Sequence, residues 1–445
     1  MSDINPQTAW QPFEPSKQQP WTTQRAAHLL RRCGFGGTIA EISQAKNAGP
    51  TKSVAQLFQS TDDSKIEKEM LQAGRLVTGG VDSNALASWW LLRMIKTPSP
   101  FLEKMTLFWH GHFATGGEKV KDSRAMFRQN QLLRKYALAK FEPFVKNISR
   151  DVAMLIYLDS EENRKTRPNE NYARELMELF CLGVGNYTET DIKEVARCFT
   201  GCEIRKNAFA FNEYQHDNKM KTVFGETGNF DSTAAIEIVL KQKAAPLFIA
   251  KKLIRYFVFD DQPISNQLAQ PIADSLRKNH FEIGPAVRQI LSSKLFYSEH
   301  SIGKKIKSPV ELAIGFLRFF EASTNINQLS QQLVSLGQLP LYPPNVKGWP
   351  GGRKWINAST ILARANLIAG ILKNPKTKYR DGNLEEWVQS HSQFQSDSLQ
   401  WAEDYLFAVP LSAETKSAFQ QTNPSNREPE RILSWLSALP EFQLC

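Results

Sequence analysis

The stretch EENRKTRPNENYARELMELFCLGVGNYTETDIKEVARCFTG, residues 161–201, decides the fold. At 100° per residue, Glu170, Asn171, Arg174, Glu175 and Glu178 fall within about 140° of arc, and Ala173, Leu176, Met177, Leu179 and Phe180 fill the opposite side. This is an amphipathic helix with an acidic face, in a chain whose net charge is +10. Thr188 with Asp191 then opens a second helix, an N-cap hydroxyl paired with an acid three residues on.

Similar start signals recur on both sides. Ser99-Pro100 with Glu103, and Ser308-Pro309-Val310-Glu311, each place a cap, a proline at the first helical position and an acid in the first turn. Apolar periodicity predicts helices near 22–33, 84–96, 100–110, 122–138, 141–155, 169–182, 189–200, 232–241, 245–258, 264–279, 284–293, 309–320, 327–337 and 359–373. The fold class is mainly α, a multi-helical globular body with a short extended or hairpin excursion near 203–229, where NAFAFNEYQHD alternates and VFGETGNF carries glycines. Residues 1–20 read as a tail over the surface and 21–375 as the main helical domain. Residues 376–445, which open on the polar run KTKYRDGN, read as a C-terminal helical extension packed on it.

Hydrophobic residues at 41% and charged residues at 22% suit a folded globular protein. The basic excess favours an anionic partner such as an acidic glycan or a phosphate-bearing group. With no zinc knuckles and no aromatic RNP segment, nucleic acid is not expected. Five cysteines make an odd, sparse set, read as reduced thiols. The N-terminal segment has no apolar run, so neither a signal peptide nor a membrane span is expected.

Three constellations could carry chemistry. His110-Gly111-His112 places two imidazoles within three residues, and both reach one ion only if the helix stops near Gly111. His216-Asp217 would complete the shell of a zinc, manganese or iron ion; the competing reading is that these histidines bond within a core. Asp159, Glu175 and Glu178 are the candidate catalytic carboxylates, since hydrolysis of a glycosidic bond needs one protonated and one ionised carboxyl. Against that, Glu170 and Glu178 flank Arg174 at four-residue spacing, as in a structural ion network, although Arg174 is also a candidate for the substrate's anionic group. The loop LPLYPPNVKGWPGGRKWINAST, Leu339 to Thr360, cannot be continuous helix; its Asn345, Lys347, Trp349, Arg353 and Trp355 form a candidate binding wall or a packed strap.

AAHLLRRCGFGGT, PFLEKMTLFWHGHFATG, the stretch around 161–201, His216-Asp217, KSPVELAIG and PPNVKGWPGGRKWI, in this order, resemble the bacterial family catalogued as domain of unknown function 1800. The resemblance covers about residues 22–370. It implies a companion protein, of the domain of unknown function 1501 family, similar to alkaline-phosphatase-type hydrolases. Relatives often carry export signals, which makes this chain either cytoplasmic or exported with a partner. The expectation is a hydrolase-like enzyme, metal-assisted in one version, acting on an anionic or glycan substrate. The alternative is a non-catalytic binding or maturation partner of the companion.

Overall fold

The computed structural model describes residues 4–59, 64–79, 83–380, 382–422 and 428–445, and among them the architecture is mainly α-helical. Capping chemistry fixes many of the boundaries. Thr188 with Asp191 and Ser308 with Glu311 both close complete capping boxes, on Glu189–Cys198 and Pro309–Phe319. The predicted helix 141–155 is two, Phe141–Ile148 and Val152–Tyr157, because the Asp151 carboxylate accepts from the Met154 amide and starts a new N-terminus. A helix at Ser64–Leu76 lies where no periodicity was read.

The helix of the deciding stretch is α only over Glu170–Glu175, with Asn169 as its N-cap; Leu176–Cys181 continues it as a π-turn. The wider turn departs from the 100° spacing, yet Leu176, Met177, Phe180 and Cys181 remain buried.

The excursion near 203–229 is two antiparallel hairpins, Cys202–Arg205 with Ala208–Phe211 and Lys221–Val223 with Glu226–Gly228. Each turns on two residues of positive φ, Lys206-Asn207 and Phe224-Gly225, the geometry that matches strand twist in two-residue loops. A third strand pair joins Ala322–Ser323 to Lys378–Tyr379.

Apolar side chains gather in two clusters. One collects residues from Ala9 to Tyr297; the other joins the helices at 84–96, 309–319 and 358–373 to the C-terminal segment. The N-terminal segment is strapped down from Asn5 onward, with Trp10 and Phe13 buried and the Trp10 indole donating to the Leu268 carbonyl at 2.8 Å; residues 1–3 of the expected tail lie outside the described residues. The boundary expected at 375 is not a break in packing. Trp401 packs on Phe319 and Phe320, the Lys307 amide donates to the Gln443 carbonyl, and the Cys445 amide donates to that of Lys305.

A buried charge cluster frames the helix that carries His110 and His112. Glu103, on Pro100–His112, accepts from Arg93 of Asn84–Lys96 and from Arg134 of Ser123–Tyr136, and so ties three helices together. No helix among the described residues is long and apolar enough to cross a membrane.

Candidate functional site

The helix Pro100–His112 does not stop at Gly111, so its two imidazoles leave the axis in different directions. His110 packs between Trp90 and Trp349, and its Nε2 accepts the Leu341 amide at 2.9 Å. Burial holds its pKa down at about 3, so the ring is neutral. His112 sits among Phe108, Trp109, Phe113 and Phe180, and its Nε2 lies 3.0 Å from the Phe180 carbonyl. A carbonyl only accepts, so Nε2 carries the proton and Nδ1 keeps its lone pair, buried and without a partner. Burial, and then the charge of Lys252, keep His112 well below the ordinary histidine pKa.

The third and fourth expected ligands lie elsewhere. His216 Nδ1 is 2.8 Å from the Thr200 carbonyl, and Asp217 accepts from Arg197 at 2.7 Å and from the Lys219 amide. His110, His112, His216 and Asp217 therefore do not form one ligand shell. Among the described residues no three His, Cys, Asp or Glu side chains are grouped to hold an ion. The physical reason is that backbone groups and a cation hold the side chains in separate places: His110 on the Leu341 amide, His112 on the Phe180 carbonyl, His216 on the Thr200 carbonyl and Asp217 on Arg197.

The room at the helix end comes from Gly348. A Cβ built on Gly348, at φ +73°, would sit 2.2 Å from the Gly111 carbonyl oxygen, so the 339–360 loop lies directly on the helix end. The Leu341 carbonyl accepts from the Gly117 amide at 2.8 Å, while its own amide is held by His110. These contacts pin the loop's first half and bring Trp349 and the exposed Lys347 to the edge of one cavity.

The result is a cavity of about 210 Å³ built from four segments. His112 and Phe108 come from Pro100–His112, and Lys252, Arg255 and Tyr256 from Ala244–Phe257 with Asp260 beyond its end. Lys305, Ser308 and Glu311 form another wall, and Lys347, Trp349 and Trp355 come from the loop. Arg353, expected in the same wall, is exposed and does not line the cavity. Lys305 is satisfied by Asp260 at 2.7 Å and by the Arg255 carbonyl at 2.9 Å, and Glu311 is paired with Lys104. Burial pushes the Glu311 carboxyl up, but Lys104 and Lys305 override it and hold its pKa at about 2. Lys252, Arg255 and Lys347 make no ion pair among the described residues. The Trp349 indole N–H is buried without an acceptor. Burial, followed by the charge of Arg255, lowers Lys252 to about 8.

An open cleft of about 520 Å³ shares the same loop: Asn345 and Val346 line it, with Asp159, Asn171 and Glu175. Asp159, in the left-handed region at φ +53°, is paired with Lys119 at 2.8 Å. Burial, and then the neighbouring Glu178, raise the pKa of Glu175, against the pull of Lys347 and Arg174. Glu178 accepts from the Tyr187 hydroxyl at 2.9 Å. Arg174 is turned away, bonded to Glu189 and Glu170.

The structure thus brings His112, Lys347, Trp349 and Trp355 to the cavity and Asp159, Glu175 and Asn345 to the adjoining cleft, and it leaves Arg174, His216 and Asp217 outside both. Sequence reasoning missed Lys252, Arg255, Asp260 and Lys305. Three cations, Lys251, Lys252 and Arg255, on the otherwise apolar helix 245–258 were the available signal for the first pair; Asp260 and Lys305 meet only through the fold.

The family model described as "Protein of unknown function (DUF1800)" matches residues 28–444. No curated protein and no solved structure matches the chain.

Proposed function

The chain belongs to the domain of unknown function 1800 family, so its activity has to be argued from its cavity, and we propose a hydrolase-like enzyme that holds the anionic group of a small acidic substrate, such as an acidic sugar, there. One observation carries the reading: Lys252, Arg255 and Lys347 converge on one cavity with no carboxylate of their own, beside a buried indole N–H that lacks an acceptor. Concentrated cations without counter-ions are stabilised by an incoming carboxylate, sulfate or phosphate through charge-assisted hydrogen bonds. Trp349, Trp355 and Tyr256 offer flat apolar faces for a sugar ring. At about 210 Å³ the space is below the roughly 300–1,000 Å³ of drug-sized sites, which suits a single small acid or sugar unit.

For the chemical step, Glu175 and Glu178 are the acid and base candidates. Burial, and then the charge of Glu178, favour the protonated form of Glu175. Lys347 couples them to the cavity, since its charge acts on Glu175 from the loop that both spaces share. No step is routed through a metal.

The test is calorimetric titration with glucuronate and sulfate, beside hydrolysis of a chromogenic glucuronide. Parent protein should bind glucuronate. Lys347→Met and Arg255→Gln should each weaken binding by tenfold or more, and Glu175→Gln should bind normally but lose turnover at least a hundredfold. Absence of glucuronate and sulfate binding by folded parent protein refutes the reading. Binding without turnover would favour the non-catalytic partner role.

A further inference from the structure

We infer that Lys252 is an amine nucleophile that captures the carbonyl carbon of a small aldehyde or 2-oxo acid as an imine, with Arg255 and Lys347 holding that ligand's carboxylate. The inference rests on the anion-binding reading of the same cavity and adds a reactive group to it.

The geometry is that of an ammonium with nothing to hold it. Lys252 lines the cavity one helical turn before Arg255 and Tyr256. Its Nζ makes no ion pair or hydrogen bond among the described residues and lies 5.2 Å from the centre of the Phe248 ring. Both carboxylates of the cavity are taken, Asp260 by Lys305 and Glu311 by Lys104. A neighbouring cation and removal from water favour the uncharged, nucleophilic form, against the pull of the Phe248 ring face on the ammonium. Separately, its pKa of about 8 leaves a large share of free amine near pH 8, where a lysine in water, at about 10.4, has almost none.

The step balances without a further reagent. The Lys252 nitrogen lone pair attacks the carbonyl carbon, the carbon–oxygen π pair moves to oxygen, and the nitrogen's surplus proton passes to that oxygen to give a neutral carbinolamine. A second proton, taken from solvent water, lets the hydroxyl depart as water while the nitrogen lone pair forms the C=N bond; the remaining N–H proton then returns to solvent. Solvent water carries these protons; His112, with its Nε2–H committed to Phe180, and Trp349 line the cavity beside Lys252 as positioning groups.

The test is reductive trapping. Folded parent protein is incubated with glyoxylate and cyanoborohydride, or with propanal as the aldehyde lacking a carboxylate, and adducts are mapped by peptide mass spectrometry. Lys252 should acquire the glyoxylate adduct at least tenfold faster than exposed lysines, with a rate that rises through a midpoint near pH 8. Propanal should show a smaller preference, and Arg255→Gln should slow glyoxylate capture severalfold more than propanal capture, because only glyoxylate loses a carboxylate partner while both lose the neighbouring charge that favours the free amine. Lys252→Arg should abolish the fast adduct. Labelling of Lys252 at the rate of exposed lysines, in protein that still binds glucuronate, overturns the inference and leaves the anion site standing; loss of both overturns both.

Discussion

Replacing Glu103 by Gln should cost about 3 kcal/mol of stability, and the structure gives the figure by two routes. Glu103 is 1% exposed, and its oxygens accept four bonds: from Trp90 Nε1 and Arg134 Nη2 on one, both at 2.9 Å, and from Arg93 Nε at 2.9 Å and Arg134 Nε at 2.6 Å on the other. Gln keeps one acceptor and turns an NH₂ against two guanidinium donors. Losing two charge-assisted bonds at roughly 1.5–3 kcal/mol each, or breaking a buried pair at roughly 3–5 kcal/mol, sets the scale. The second route is linkage. Burial alone would push the Glu103 carboxyl up, but Arg134 and Arg93 override it and bring it from 4.5 to about 2, a difference of about 3 kcal/mol. The folded-state pKa is depressed, so this contribution is fully present above the unfolded value of 4.5 and is lost as pH falls through about 2. At pH 3 it should shrink to about 1.4 kcal/mol. Urea unfolding of parent and Glu103→Gln, followed by tryptophan fluorescence at pH 7 and pH 3, measures both values. A cost below about 1 kcal/mol at pH 7, or one that does not change with pH, would refute the argument.

Gly348→Ala should push the loop off the helix end, since its Cβ would meet the Gly111 carbonyl at 2.2 Å and φ is +73°. The expected cost is about 1–3 kcal/mol in unfolding, with weaker glucuronate binding because Lys347 and Trp349 flank the position. Arg174→Ala should leave both the thermal midpoint and glucuronate affinity unchanged, because its pairs with Glu170 and Glu189 are solvated and it borders neither the cavity nor the cleft. A loss of affinity in that variant would return Arg174 to the site.

The helices were legible wherever the instruction is local. Ser308 and Glu311 satisfy each other within four residues, and Thr188 and Asp191 do the same, so sequence alone marks both starts. The break at Asp151 was missed because apolar residues resume directly after Ser149-Arg150-Asp151, and the new start is marked only by the Asp151 side chain accepting from the Met154 amide. The π-turn at Leu176–Cys181 has no periodicity signal of its own. At the site, the loop's aromatics were readable because prolines and glycines exclude helix and leave Trp349 and Trp355 to line the cavity, with Lys347 at its exposed edge. The histidines were misread as one ligand set because what decides their roles, the Leu341 amide and the Phe180 carbonyl, comes from 231 and 68 residues away.

The net charge of +10 also reads differently once it is placed in space. Arg31, Arg32, Lys307 and Arg364 are buried and donate to oxygens of Tyr405, Phe407, Ser301, Phe442, Gln443 and Lys307, so part of the basic excess staples the C-terminal segment to the body. Those groups are interior and add nothing to a flat basic surface of the kind a nucleic acid would need. Lys305 and Glu311 belong to both settings: they line the cavity and lie among the chain segments that these cations hold. The positive field at Lys252, Arg255 and Lys347 is therefore framed by fixed, poorly screened charges, and its strength depends on the His110 and Gly111 contacts that hold the loop in place. On the proposed anion-binding reading, the loop's seat on the helix end, more than the overall charge of the chain, is what would set the cavity's affinity.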